Sequence, residues 1–175
     1  IHEDTQKAIE LAEEALNEFG NQYQTQWVAM MRSKLGLFGE QEGDENLITD
    51  LLNWMHTHHA DYTVTFRDLS QDAKPVGAHY DAKGFDVWYD RWQDRLKDNT
   101  KGLQASWDLM RSVNPAVIPR NHIVEEVIAA ANGGDFGPLH QCLDVLKTPY
   151  NDPEDKHYQQ PPSPSERVYQ TFCGT

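Results

Sequence analysis

Apolar residues return every three or four positions through nearly the whole chain, and no segment alternates for long enough to offer a strand a partner. That constraint selects an all-α fold, because a lone strand cannot satisfy its backbone or bury a face. "FDVWYDRWQDRLKD" is the clearest instance. Phe85, Trp88, Tyr89, Trp92 and Leu96 follow the i, i+3, i+4, i+7 rule of a helix buried along one stripe. Such a stripe reads as core before it reads as a ligand platform. With five Trp, seven Tyr and six Phe, the chain is too aromatic to be disordered despite its acidity.

The same pattern divides the rest of the chain into seven or eight short helices. In "DTQKAIELAEEALNEFG", Ala8, Ala12, Ala15 and Phe19 share a face with Ile9, Leu11 and Leu16, and Gly20 reads as the stop. Tyr23, Trp27, Met30, Met31 and Leu35 form a second helix closed by Gly36. Leu47, Ile48, Leu51, Leu52 and Met55 form a third, with Asp44 as its expected N-cap. "ADYTVTFRDLS" reads as a short helix capped by Asp61, although its Thr and Val also suit a strand. Trp107, Met110 and Val113 lie on another helix, ended by Asn114 and Pro115. Val124, Val127, Ile128 and Ala131 share the next, which two glycines close. Leu139, Cys142, Leu143 and Leu146 line the last. After Tyr150 the composition turns to Pro, Gln, Ser and Glu. The expected organisation is a helical subdomain over 1–150 and a Pro-rich tail over 151–175 without a core of its own.

Charge excludes several functions. Fifteen Lys plus Arg stand against 28 Asp plus Glu, a formal net charge of -13, so a phosphate backbone or an anionic membrane surface is repelled. No apolar run approaches the ~20 residues that span a bilayer. Two cysteines are too few for a disulfide-stapled scaffold, which makes a reducing cytoplasm the default. The chain opens on Ile1 rather than Met and enters an amphipathic pattern at once, as the later part of a longer polypeptide would.

Five features invite a chemical reading. Asp135-Phe136-Gly137 spells the DFG of protein kinases, whose Asp binds magnesium. It lacks the preceding catalytic loop, and a capping role for Asp135 after Gly133 and Gly134 explains its neighbours better. "HTHH" places His56 and His59 at i, i+3 in a last helical turn, where His also suits the helix dipole, and no further donor is near in sequence. The acidic pairs Glu13-Glu14, Asp44-Glu45 and Glu125-Glu126 read as solvated faces. Cys142 lies on an apolar face as a core residue, whereas Cys173, beside Gly174 at the end of the tail, has no such face. It is either a reversible redox partner or an incidental thiol. Arg67 and Arg120 are open between helix-linking ion pairs and functional groups.

Six strings occur in one order: "MRSKLGL", "ADYTVTFRDLS", "VNPAVIPRNHIVEEVI", "GD" at Gly134-Asp135, "LKTPY" and the closing "FCGT". Together they resemble the C-terminal portion of the selenoprotein O family over nearly the whole chain. Pro119 departs from the bulkier aliphatic residue expected there. The resemblance implies the helical C-terminal subdomain of a kinase-like bacterial protein that transfers AMP from ATP, with magnesium, to Ser, Thr or Tyr hydroxyls of protein substrates. It further implies that the ATP and magnesium ligands and the catalytic Asp precede this segment, so no catalytic, cofactor-binding or metal residue carries over. The segment then docks on the kinase-like lobe and is inactive alone. One position does match: Cys173 corresponds to the family's terminal cysteine, or selenocysteine, which forms a disulfide with a cysteine near the activation segment. The competing expectations are a free-standing acidic helical interaction module and a metal site on the His cluster.

Overall fold

A computed structural model describes residues 3–166, and among them there are seven α-helices, one 3-10 turn and no strand. The helices are α1 (Thr5–Lys34), α2 (Asp44–His58), α3 (Tyr62–Leu69), α4 (Phe85–Lys97), α5 (Gly102–Val113), α6 (Asn121–Asn132) and α7 (Gly137–Leu146), with the 3-10 turn at Lys156–Gln159. None of these helices is long and apolar enough to cross a membrane.

The two helices expected on either side of Gly20 are one 30-residue helix. Gly20 costs such a helix about 1 kcal/mol, which does not stop it unless the backbone also turns left-handed. Gly36 does turn, at φ +69°. Leu37 N–H reaches Arg32 O and Gly36 N–H reaches Ser33 O, the paired bonds of a Schellman stop. Gly134 (φ +84°) ends α6 in the same way, through Asp135 N–H to Ala130 O and Gly134 N–H to Ala131 O.

The main core lies between the second half of α1 and helices α2 to α5. Val28, Met31 and Leu35 meet Leu47, Ile48 and Leu51 of α2, Phe66 and Leu69 of α3, and the expected stripe Phe85, Trp88, Trp92 and Leu96 of α4. The Trp88 indole donates to Leu47 O (2.8 Å) and that of Trp92 to Leu35 O (2.9 Å), so both rings pack without an orphaned N–H. The short "ADYTVTFRDLS" helix is α3, and the Asp61 carboxylate accepts from Val64 N–H as its cap.

A smaller cluster joins α6 and α7. Ile123, Val127 and Cys142 are buried there, with Leu139, Leu146 and Tyr158 packed against them. The expected stripe through Ile128 is displaced. Ile128 is exposed, as is Leu143 on α7, and Ile123 takes the inward position. The first part of the Pro-rich stretch lies back on this cluster through Tyr158 and through a 3.0 Å contact between His157 Nε2 and Glu126.

Candidate functional site

The buried polar groups are spent mostly on ties between helices. Asp44, expected as an N-cap and as part of a solvated acidic pair, is neither. Gly43 is the N-cap of α2, and the Asp44 side chain is 1% exposed between two arginines. It accepts from Arg95 Nε at 2.7 Å, Arg32 Nε at 2.9 Å and Gln41 N–H at 3.1 Å. Burial pushes its carboxyl upward, but Arg95, the Gln41 N–H and Arg32 outweigh burial and hold it below the usual carboxylate range. The hub ties α1, α2 and α4 together.

Arg67 and Arg120 are both ion-pair partners. Arg120 grips the Asp61 carboxylate with two N–H···O bonds of 2.8 and 2.9 Å, joining the start of α6 to the cap of α3. Arg67 on α3 donates to Asp152 at 3.0 Å and to Asn114 O at 3.3 Å. Burial acts to raise Asp61 and Asp152, but in each the arginine and further hydrogen bonds prevail and the carboxyl lies below its ordinary value. Asn114, fully buried, donates to Lys34 O (2.8 Å) and Ser70 Oγ (3.1 Å) and accepts from Lys34 Nζ (2.9 Å). That ammonium stands 4.9 Å from the Phe66 ring centre, and burial pulls its pKa down.

A cleft of about 490 Å³ opens between the α2–α3 corner, the start of α6 and the Pro-rich stretch. His59, Asp61, Arg120, His122, Pro161 and Glu166 line it. Its guanidinium is already committed to Asp61, and Arg120 Nε and His122 Nδ1 are buried without partners. No nucleophile paired with a base is assembled in it.

The other sequence candidates separate. Asp135 is exposed and accepts from Gly137 N–H at 2.8 Å, one residue before the assigned cap Phe136. Its carboxylate is thus occupied in starting α7, close to the capping role expected. His59 ends α2 in a left-handed conformation (φ 53°). Among the described residues no three His, Cys, Asp or Glu side chains converge as metal donors. Cys142 is buried at 7% exposure, and burial pushes its thiol pKa up, as an inert core cysteine requires. Cys173 lies outside the described residues.

The Asp44 hub escaped the sequence reading, although one signal was present. Arg95 stands three residues after Trp92 and seven after Trp88, on the core-facing stripe of α4. A charge at a core position demands a buried partner.

Among the described residues the chain is an all-helical body whose helices are tied together by buried and half-buried ion pairs. The family described as protein adenylyltransferase SelO matches residues 5–147, and the chain belongs to that family. It is 52% identical over its full length to a protein nucleotidyltransferase YdiU of Nitrosococcus oceani, covering 36% of that relative. It is 50% identical to the protein of the same name from Alcanivorax borkumensis, covering 37%. With that of Geobacillus kaustophilus the identity is 46%, again over the whole chain and 37% of the relative. The chain thus spans little more than a third of the length of these relatives, each of which is named a protein nucleotidyltransferase.

Proposed function

We propose that the whole protein transfers AMP from ATP to Ser, Thr or Tyr hydroxyls of other proteins in the bacterial cytoplasm. In this reading the chain is the helical part that braces a kinase-like catalytic lobe. The family match over residues 5–147 carries the proposal. In the transfer, the substrate hydroxyl oxygen bonds to the α-phosphorus, the α–β anhydride bond breaks, the hydroxyl proton leaves and pyrophosphate departs. In this reading the magnesium ion and the nucleotide are held by the remainder of the polypeptide. What supports a bracing role is the use made of the buried and half-buried arginines. Arg32, Arg67, Arg95 and Arg120 each face a carboxylate from another element, leaving their charges spent on holding helices rather than phosphates. Cys173 completes the reading as a redox-sensitive residue that pairs reversibly with a cysteine outside this chain.

The test is an adenylylation assay with isotope-labelled ATP on the full-length protein, beside calorimetry of this chain with Mg-ATP. Label transfer by the full-length protein and no heat of binding to the chain are expected. A micromolar dissociation constant for the chain would place the nucleotide site here and overturn the assignment. Peptide mapping of oxidised full-length protein tests the thiol, and a Cys142–Cys173 crosslink contradicts it.

A further inference from the structure

Helix α1 carries two apolar faces, and only one of them meets the body. At about 100° per residue, Val28, Met31 and Leu35 point to the core, whereas Ala12, Leu16, Phe19, Tyr23 and Met30 form a second stripe turned roughly 125° away. Along that stripe Leu16 is 71% exposed, Phe19 66%, Tyr23 60% and Met30 47%. The Phe19 and Tyr23 rings stand side by side, 6.3 Å between centres, and both are largely exposed among the described residues. No residue of α1 before Val28 is buried, so the helix leaves the body for more than four turns. An isolated helical stretch of that length is marginal in water and normally draws its stability from packing an amphipathic face.

We propose that this second stripe of α1 is the surface on which the remainder of the family's polypeptide packs. The inference rests on the reading of this chain as part of a longer enzyme. Two observations select that occupant. The chain is matched along its entire length by relatives of which it spans little more than a third, so a large tethered partner belongs to the same polypeptide. Tethering raises its effective concentration to the millimolar range, and a strip of five side chains then suffices. Charge argues against a second copy of this chain. Glu10, Glu13, Glu14 and Glu18 crowd the projecting half of α1 against the single Lys7, and two such helices laid together would repel. The fitting partner is an apolar strip edged with Lys and Arg.

Hydrogen exchange on the full-length protein tests this, with Phe19→Asp and Asn21→Asp as paired variants. Both add one negative charge to α1, but Asn21 lies on the side opposite the stripe. Slow exchange of the amides of residues 8–23 is expected in the wild type and in Asn21→Asp, with loss of that protection in Phe19→Asp. The body is untouched by either change, so protection of α4 and α5 stays as it is. Unprotected exchange over 8–23 in the wild type, or equal behaviour of the two variants, refutes the surface. So does a full-length dimer that Phe19→Asp converts to monomers, because the occupant is then a second copy. AMP transfer is assayed on the same samples. Protection without transfer defeats the proposed function and leaves the surface standing, and transfer without protection does the reverse.

Discussion

Replacing Asp44 by Asn tests the claim that a buried carboxylate holds three helices in place. The change keeps the size and the Gln41 N–H bond but removes the charge shared by Arg95 and Arg32. Breaking a buried pair at one partner costs about 3–5 kcal/mol, because the remaining charge stays buried and uncompensated. Here Arg95 keeps neutral acceptors in Asn99 Oδ1 (3.0 Å), Gly39 O (3.2 Å) and Phe38 O (3.3 Å), and Arg32 keeps Glu40 (2.8 Å). Those contacts move the expectation to the lower end, about 3 kcal/mol. That is a large share of the 5–15 kcal/mol by which domains of this kind are stable, roughly. At ~2–4 °C per kcal/mol for a chain of this size, the melting midpoint should fall by about 6–12 °C.

Urea and thermal melts at neutral pH, with Glu40→Gln as an exposed control, read the difference. Glu40 is 79% exposed, so its loss should cost less than about 1 kcal/mol. The pH dependence supplies a second check. A carboxyl held below its unfolded value contributes stability that is complete above that unfolded value and lost as pH falls through the folded one. The gap between wild type and Asp44→Asn should therefore be full at pH 7 and close below about pH 4. The joint replacement of Asp44 and Arg95 by Leu should cost less than the two single losses combined. A penalty for Asp44→Asn no larger than that of Glu40→Gln, or one unchanged in acid, refutes the argument.

Gly36→Ala should destabilise far more than Gly39→Ala, although both glycines have positive φ. Each change costs about 1–2 kcal/mol for the left-handed backbone, but only at Gly36 does the new methyl meet Ser106 O at 3.0 Å and Met110 at 3.1 Å; equal melting curves would contradict that packing. Cys142 should react with iodoacetamide much more slowly in native than in urea-unfolded protein, because its thiol is buried and its ionised form disfavoured. Equal rates followed by mass spectrometry would remove it from the α6–α7 core.

What could be read in advance was local. The α4 stripe, the α3 cap at Asp61 and the stops at Gly36 and Gly134 each depend on residues within a turn or two, and periodicity reports them directly. Gly20 misled because a glycine marks a stop only where the backbone turns left-handed, and that decision is taken by the following residues. The Asp44–Arg95 and Arg67–Asp152 pairs join residues 51 and 85 positions apart, a relation no local pattern encodes. Composition likewise reports the Pro-rich stretch as a tail, yet Asp152 and Tyr158 are enough to bring it onto the body.

Among the described residues the α6–α7 cluster fully buries Ile123, Val127 and Cys142, with Leu139, Leu146 and Tyr158 partly buried against them, a small apolar surface to fix its position against the rest. Its position is set by specific polar ties. Arg120 holds the start of α6 to Asp61, Arg67 holds the chain after α7 to α3 through Asp152, and the N–H groups of Ala116 and Val117 both reach Pro149 O. A tie of this kind fixes direction as well as distance, because a two-point guanidinium–carboxylate contact tolerates little rotation. The carboxylates of Asp61 and Asp152 are both held below their usual range, so the seam loses its grip in acid while the large apolar core of α1 to α5 does not depend on that charge. The fold therefore divides its labour. Apolar area makes the main body stable, the root of the projecting α1 included, and two arginine–carboxylate contacts together with the Pro149 carbonyl decide how the α6–α7 part is aimed.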